Sequence, residues 1–203
     1  MRLYLASTSP ARLATLRAAG VEPVLLSSGV DEEAEAAAAG QLDGPGLVSL
    51  LARAKAEAVV GPQLDGIVLG GDSAFELDGQ LYGKPHHPAI ARERWRAQRG
   101  RTGVLHSGHW LIDHRGGAAG AGVGAVTTAS VTFADVADAE LEAYVASGEP
   151  LEVAGGFKID AKGGAFIERV DGDPHAVVGL SISTVRSLAA EFGIAWPALW
   201  NRG

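Results

Sequence analysis

Asp72 is the residue whose place in the sequence points most directly to chemistry. It follows the apolar run Ile67-Val68-Leu69, and a run that is apolar throughout is typical of a strand covered on both faces. We therefore expect Asp72 at the carboxyl end of this strand, where open α/β sheets bind their ligands. There a carboxylate can hold a divalent metal ion or act as a general base. The alternative is an aspartate that only caps the following turn.

Glu32 and three cations complete the set of candidate residues. Glu32 lies in an acidic segment that follows a predicted strand. Arg12 and Lys84 lie at the ends of predicted elements, whereas Lys55 lies within a predicted helix, away from its apolar face. Magnesium and lysines can neutralise the charge of a phosphate chain while a carboxylate orients the attacking water. This mixture of residue types therefore suits metal-assisted attack on a phosphate chain.

The segment LASTSPAR, residues 5–12, has the pattern of a strand end, a tight turn and a helix start. Ser9 suits the N-cap and Pro10 suits the first helical position. Such a turn leaves backbone N–H groups at the positive end of a helix dipole, beside the hydroxyls of Ser7 and Ser9 and the guanidinium of Arg12. The segment is thus a candidate phosphate cradle. The alternative is a well-capped helix whose arginine is only solvated.

The rest of the chain alternates strands with helices. Strands are predicted at residues 2–6, 21–28, 67–69, 103–113, 126–136 and within 153–173, and helices at 10–20, 45–60, 92–101, 138–149 and 181–193, with a glycine-rich turn at 116–125. The pair Asp78-Gly79 predicts a hairpin, which would return Lys84 towards Asp72. Because hairpins are mixed with crossovers, we predict an α/β fold with a mixed sheet flanked by helices.

Composition and charge limit the classes of function. The chain has 203 residues, of which 47% are hydrophobic and 20% charged, and this composition indicates one globular domain over residues 1–203. A net charge of −7 argues against broad attraction to nucleic acid. The most basic stretch, residues 92–101, is expected to form a solvated helix with Ile90 and Trp95 facing inward. Since no apolar run is long enough to span a membrane and no signal segment is evident, we expect a cytoplasmic protein without membrane contacts.

Several common catalytic schemes lack their motifs. The segment GLSIS, residues 179–183, does not complete the Gly-x-Ser-x-Gly elbow of serine hydrolases. The pairs His86-His87 and His106-x-x-His109 would each point apart on a regular element, which argues against a zinc site. The chain has no cysteine, and a Walker-type phosphate loop is absent from the sequence.

Separated motifs follow one another in a recognisable order. They are LASTSPARLATLRAAG, VDEE, ARAKA, GGDSAFELDGQLYGKP, AYVASGEPLEVAGGFKIDAKGGAFIERVDGD and VVGLSI. In this order and spacing they resemble the Maf family of nucleoside triphosphate pyrophosphatases, particularly its actinobacterial-type members. The resemblance covers nearly the whole chain.

This resemblance implies hydrolysis of a nucleoside triphosphate to the monophosphate and pyrophosphate, with Mg²⁺ or another divalent cation such as Mn²⁺. It also implies an elongated, two-lobed fold with a central cleft, similar to the inosine triphosphate pyrophosphatases, often as a homodimer. Family members are associated with removal of modified nucleotides and with restraint of cell division. By position, Asp72 resembles the catalytic base and a metal ligand, and Glu32 a metal-associated carboxylate. The implied phosphate contacts are Ser7, Ser9, Arg12, Lys55 and Lys84.

Three positions depart from the family pattern at places associated with base selection. Ala11 replaces the first of two arginines, Ser73 replaces a threonine, and Asp160 stands where glutamine is common. A buried carboxylate facing the base accepts hydrogen bonds only, so Asp160 favours a guanine-type base. The chain also resembles the family members that have an acidic residue here and lack the first arginine, and this resemblance implies N7-methylated GTP as a substrate. The alternatives are a pyrimidine triphosphate as substrate and an Asp160 that points to solvent. At the level of function, the alternative is a nucleotide-binding regulatory protein that has lost turnover.

Overall fold

The computed structural model describes residues 1–118 and 120–202, and over these residues the chain forms seven strands and six α-helices. The strands are β1 (Leu3–Ala6), β2 (Val24–Leu25), β3 (Gly66–Leu77), β4 (Gln80–Tyr82), β5 (Thr102–His114), β6 (Gly122–Phe133) and β7 (Ile167–Gly172). The helices are α1 (Pro10–Ala18), α2 (Glu32–Ala39), α3 (Gly44–Val59), α4 (Pro88–Gln98), α5 (Asp138–Ala146) and α6 (Ile182–Glu191). Within the described ranges, none of these helices is long and apolar enough to cross a membrane. The predicted α/β class is confirmed.

The strands form one mixed sheet in the order β2-β1-β3-β5-β6-β7, and β4 also pairs with β3. β1 runs parallel to β2 and β3, whereas β4 is antiparallel to β3 and β7 is antiparallel to β6. Along β3, pairing with β1 extends to Ala6–Gly70, and pairing with β4 starts at Phe75–Tyr82. Residues 71–74 of β3 lie between these two partners.

The chain divides into two compact units. The first comprises Met1–Asp72, Ser107–Thr127 and Gly179–Gly203, and the second comprises Ser73–His106 and Thr128–Val178. Each unit therefore combines segments that are distant in the sequence. Each also has apolar cores of its own.

The sheet of the first unit is covered on both faces. Ile67 and Leu69 of β3 pack in one core with Leu16 of α1 and residues of α6. Val68 points the other way and packs with Ala56 of α3. All three β3 side chains are fully buried, which confirms the strand covered on both faces that the apolar run predicts.

Glycines allow α3 to lie close against β3 and β5. A Cβ atom at Gly70 would lie 2.0 Å from the carbonyl oxygen of Ala52, and one at Gly108 would lie 2.2 Å from the carbonyl oxygen of Val48. Both distances are far below van der Waals contact, so neither position has room for a side chain. Since alternate residues of a strand share a face, Asp72 faces α3 as Gly70 does.

Helix α1 has the caps that the sequence predicts. Ser9 is the N-cap, its Oγ accepts the N–H of Arg12 at 3.4 Å, and a proline follows at the first helical position. At the other end Gly20 has φ +82°. The N–H of Val21 donates to the carbonyl of Leu16 at 2.9 Å, which is part of the hydrogen-bond pattern of a Schellman motif.

The second unit has an aromatic core. The ring of Phe133 lies edge-to-face against Phe75 and Trp95, at centroid distances of 5.7 Å and 5.5 Å. Trp95 is fully buried as predicted, but Ile90 is 37% exposed, so its predicted inward position is wrong. The inward stripe of α4 runs through Ala91 and Trp95, which lie one helical turn apart.

Two predicted turns connect the strands. Asp78 and Gly79 join β3 to β4 with φ values of 53° and 76°, as a type I′ hairpin turn requires. The turn predicted at residues 116–125 connects β5 to β6. Its residue 119, like residue 203 of the predicted domain, lies outside the described residues.

Replacing Gly70 with alanine tests the close approach of α3 to the sheet. The added Cβ would clash with a backbone oxygen, so we expect Gly70→Ala to lower the free energy of unfolding by about 3 kcal/mol or more, at the upper end for overpacked cores. Gly83→Ala is the matched control, because a Cβ there would meet no atom within 4 Å, and we expect it to stay within about 0.5 kcal/mol. Urea unfolding of the two variants measures the difference, and equal stabilities would contradict the close approach.

Candidate functional site

Asp72 lies within β3 and not at its end, so the predicted strand end is wrong. The strand continues to Leu77 because β4 pairs with its second half. What ends near Asp72 is the parallel neighbour β1, whose last pair with β3 is Ala6–Gly70. Asp72 is 7% exposed. It therefore lies, buried, just beyond the end of the parallel pairing.

Lys55 is buried and bound to Asp72. It is 7% exposed, and its Nζ lies 2.6 Å from Oδ1 of Asp72. The prediction that Lys55 lies off the core face of its helix is wrong. The buried face of α3 runs through Val48, Ala52 and Lys55, because small residues on this face meet Gly70 of the sheet. The predicted apolar face includes Leu47 and Leu50, and both of these leucines are only partly buried.

Glu32 brings a second carboxylate to the same ammonium group. It is the first residue of α2, and its Oε1 lies 2.6 Å from Nζ of Lys55. Its side chain is 49% exposed, whereas that of Asp72 is 11% exposed. Lys55 thus joins one buried carboxylate to one that reaches solvent.

Arg12 is held among backbone and hydroxyl groups on the opposite face of β3. Its Nε donates to the carbonyl of Gly179 at 2.9 Å, and its Nη1 donates to Oγ of Ser7 at 3.1 Å. A Cβ at Gly71 would lie 3.3 Å from Nε of Arg12, so this glycine leaves room for the guanidinium. Ser7 also accepts the N–H of Ser9 at 3.2 Å. Since Arg12 is 8% exposed, the alternative of a merely solvated arginine is wrong.

These side chains belong to the first unit, and we call them the charged cluster: Ser7, Ser9, Arg12, Glu32, Lys55 and Asp72. Burial raises the pKa of Asp72 above its ordinary value, opposed by Lys55 and Arg12 and reinforced by Glu32. Burial also lowers the pKa of Arg12, but a guanidinium stays protonated in proteins. The raised pKa makes the ionised Asp72 a stronger proton acceptor than an ordinary aspartate.

Comparison with known proteins places the chain in a family. A family model described as "Maf-like protein" matches residues 2–192. The chain belongs to the Maf-like family. A protein of Leifsonia xyli subsp. xyli named nucleoside triphosphate pyrophosphatase is 66% identical over 210 residues, which cover 100% of this chain and 98% of that protein. A protein of Salinispora tropica with the same name is 50% identical over 208 residues, covering 100% of this chain and 89% of that protein.

Among solved structures, the Staphylococcus aureus Ham1 protein is similar with a TM-score of 0.42 and 15% sequence identity. The match covers 66% of this chain and 73% of the Ham1 chain. The α/β assignment of this Maf-like protein comes from its own strands and helices.

Three of the remaining predicted residues lie in the second unit of the Maf-like protein. Ser73 follows Asp72 on β3 and is partly buried, whereas Lys84 and Asp160 are exposed. The exposure of Asp160 agrees with the alternative of a side chain that points to solvent, and its contact with a base stays a prediction. Lys84 comes two residues after β4. The return of Lys84 towards Asp72 stays a prediction. Ala11 lies in the first turn of α1, in the first unit, and is partly buried.

The two carboxylates of the charged cluster suit a hard divalent cation. Oxygens of Glu32 and Asp72 lie within reach of one ammonium group, so their negative charges are directed to one place. Over residues 1–118 and 120–202, no group of three or more His, Asp and Glu is arranged to hold a metal ion. Two carboxylates with further oxygens from water and a phosphate chain are a usual environment for Mg²⁺.

The backbone partners of the charged cluster are not evident from the sequence. Gly179 contributes a carbonyl group, which no side-chain motif can reveal, and Gly71 contributes only space.

Ser181, the serine of the incomplete Gly-x-Ser-x-Gly motif, is the N-cap of α6. Its position directly before a helical pattern is the sequence signal for this role. His106 bonds Glu76, whereas His109 accepts the N–H of Ser181, so the two histidines act separately.

Replacing Lys55 with methionine tests the electrostatic balance at Asp72. The variant removes a cation that lowers the pKa of Asp72, so this pKa should rise further and the carboxyl group should ionise at higher pH. Carbon-13 NMR titration of the aspartate carboxyl signals measures it. Arg53→Met, an exposed change on the same helix, is the control and should leave the titration unchanged. An unshifted or lowered Asp72 pKa in Lys55→Met would contradict the balance described here.

Proposed function

We propose that this Maf-like protein hydrolyses a nucleoside triphosphate to the nucleoside monophosphate and pyrophosphate, with the help of a divalent cation such as Mg²⁺ or Mn²⁺. The observation that carries the proposal is the buried Asp72 carboxylate. It is bound by Lys55, and the positive charge of Arg12 also acts on it. Water attacks the α-phosphorus, the bond to the β-phosphate bridge oxygen breaks, and pyrophosphate leaves. The names of the relatives from Leifsonia and Salinispora support this reaction.

Asp72 acts as the base in this proposal. Its carboxylate orients the attacking water and accepts its proton, and the raised pKa favours that transfer. Burial suits this role, because few bulk water molecules compete for the hydrogen bonds of a carboxylate that is shielded from solvent. The exposed Glu32, whose Oε1 contacts Lys55, would meet an incoming cation.

Arg12, Ser7 and the start of α1 bind the phosphate chain. The guanidinium is aimed by two hydrogen bonds, to Gly179 and Ser7, so little side-chain entropy remains to be lost on binding. The N-terminus of α1 adds the positive end of a helix dipole. When Glu32 and Asp72 bind other groups, the ammonium group of Lys55 can offset negative charge on the phosphate chain.

Glu32 and Asp72 are the residues that would hold the divalent cation. When bound, the cation neutralises phosphate charge and polarises the phosphorus–oxygen bonds. Lys55 lies against both carboxylates, so a group of the protein itself offsets part of their negative charge.

The deciding experiment incubates the protein with a panel of nucleoside triphosphates and Mg²⁺ or Mn²⁺, and measures monophosphate and pyrophosphate. Formation of both products in equal amounts supports the proposal. Tight nucleotide binding without either product would instead identify a regulatory nucleotide-binding protein. Release of single phosphates would exclude cleavage between the α- and β-phosphates.

Asp72→Asn tests the catalytic base. Asparagine keeps the size of the side chain but cannot accept a proton, so turnover should fall by about 10²-fold or more. Lys55 keeps Glu32 as a partner in this variant, and circular dichroism should show an intact fold. Asp135→Asn, an exposed change in the second unit, is the control and should keep normal turnover. Near-normal turnover in Asp72→Asn would exclude the proposed base.

For substrate class we propose a guanine-type triphosphate, through Asp160. Its carboxylate accepts two N–H bonds from guanine, whereas glutamine suits the mixed donors and acceptors of uracil. Asp160→Gln should therefore shift the ratio of kcat/KM for GTP and UTP by about tenfold or more, since a polar contact that the bound base shields from water costs that much when it is left unmatched. Glu168→Gln, also exposed in the second unit, makes the same charge change as a control. If both variants leave the ratio unchanged, Asp160 is not a base-selecting residue.

A further inference from the structure

The guanidinium of Arg12 depends on a carbonyl group far along the chain. Gly179 accepts the Nε–H of Arg12 across a separation of 167 residues, and its own φ is +96°. Gly179 begins the short segment that leads into α6, residues 179–181, which we call the α6 turn. A carbonyl oxygen directs a guanidinium only while its peptide plane is fixed. The α6 turn therefore needs an anchor.

His109 supplies that anchor. It lies on β5, is 1% exposed, and its Nε2 accepts the backbone N–H of Ser181 at 2.8 Å. It shares a face of β5 with Leu111, which packs in the core formed with α1 and α6. Because a backbone N–H can only donate, Nε2 must carry the lone pair and Nδ1 the proton. The imidazole is therefore neutral, in the Nδ1–H tautomer.

Ser181 is held from its other side as well. Its Oγ accepts the N–H of Thr184 at 3.1 Å and caps α6. The backbone amide and the hydroxyl of one residue thus tie the α6 turn to β5 and to the helix. Gly179 lies two residues before this doubly anchored position.

We propose that His109 is a positioning residue for the phosphate-binding arginine, acting through the Ser181 N–H and the Gly179 carbonyl that holds Nε of Arg12. The inference rests on the proposed function only in assigning phosphate binding to Arg12. The chain of hydrogen bonds itself can be tested without any ligand.

Nuclear magnetic resonance of the nitrogen-15-labelled protein tests this chain of hydrogen bonds directly. In the wild-type protein the imidazole of His109 should give the signature of the Nδ1–H tautomer, and the Arg12 Nε–H signal should exchange slowly with water. His109→Leu should shift that signal and speed its exchange, whereas His109→Gln should preserve it, because an amide oxygen can accept the Ser181 N–H. An Nε2–H tautomer in the wild type, or an unchanged Arg12 signal in His109→Leu, overturns the proposal. The tautomer measurement decides the case even if His109→Leu does not fold.

Binding of inorganic tripolyphosphate, measured by calorimetry, tests the consequence for phosphate recognition. His109→Leu should weaken affinity by about tenfold, as expected when a charge-assisted contact is misplaced, and His109→Gln should restore it to within about twofold. Arg12→Ala and the double variant with His109→Leu should bind equally, because residues that act through one group are not additive. Additive losses would overturn the proposal.

His114→Leu is the matched control for lost stability. His114 is also buried on β5, but its Nδ1 lies against the carbonyl of Leu64 at 3.1 Å. It should leave tripolyphosphate affinity and the Arg12 signal unchanged. If Arg12→Ala binds tripolyphosphate as well as the wild type, the phosphate role of Arg12 fails, and the Arg12 Nε–H signal still decides the role of His109.

Discussion

A lysine ammonium buried between two carboxylates is the interaction on which the first unit depends. Removing charges from water costs several kcal/mol for each ion, and only close contact between opposite charges offsets this cost. The contact of Lys55 with Asp72 requires α3 to lie nearly on the sheet. Gly70 and Gly108 make that approach possible. Because these two positions have no side chain, the charged side chains of Lys55 and Asp72 can meet.

The elements were predictable where a few neighbouring residues decide the outcome. The ends of α1 follow from Ser9 and Gly20, whose caps need only local backbone geometry. The hairpin at Asp78-Gly79 follows from residues that tolerate positive φ. Ile67 to Leu69 gave a strand covered on both faces, because a sheet with helices on either side leaves no polar position. In each case the local signal and the packing agree.

The errors came where tertiary contacts override the local pattern. The leucines of α3 suggested one face, but small residues against glycine set another, and this buried Lys55. The short apolar run predicts a strand that ends near Asp72, yet pairing with β4 extends β3 beyond it. The inward position predicted for Ile90 rests on its apolarity alone. The charged cluster could be named from the sequence, but its buried contacts and its backbone partners could not.

The bond between Arg12 and Gly179 also has a consequence for how the protein is made. Ribosomes synthesise the N-terminal motif first, and the caps of α1 involve only residues that are close in the sequence. The carbonyl that aims its arginine is added only after 166 intervening residues. A nascent chain or an N-terminal fragment that stops short of the α6 turn therefore carries the sequence motif without the geometry. Under the proposed function, phosphate binding by Arg12 therefore begins only when these two distant parts of the first unit have come together.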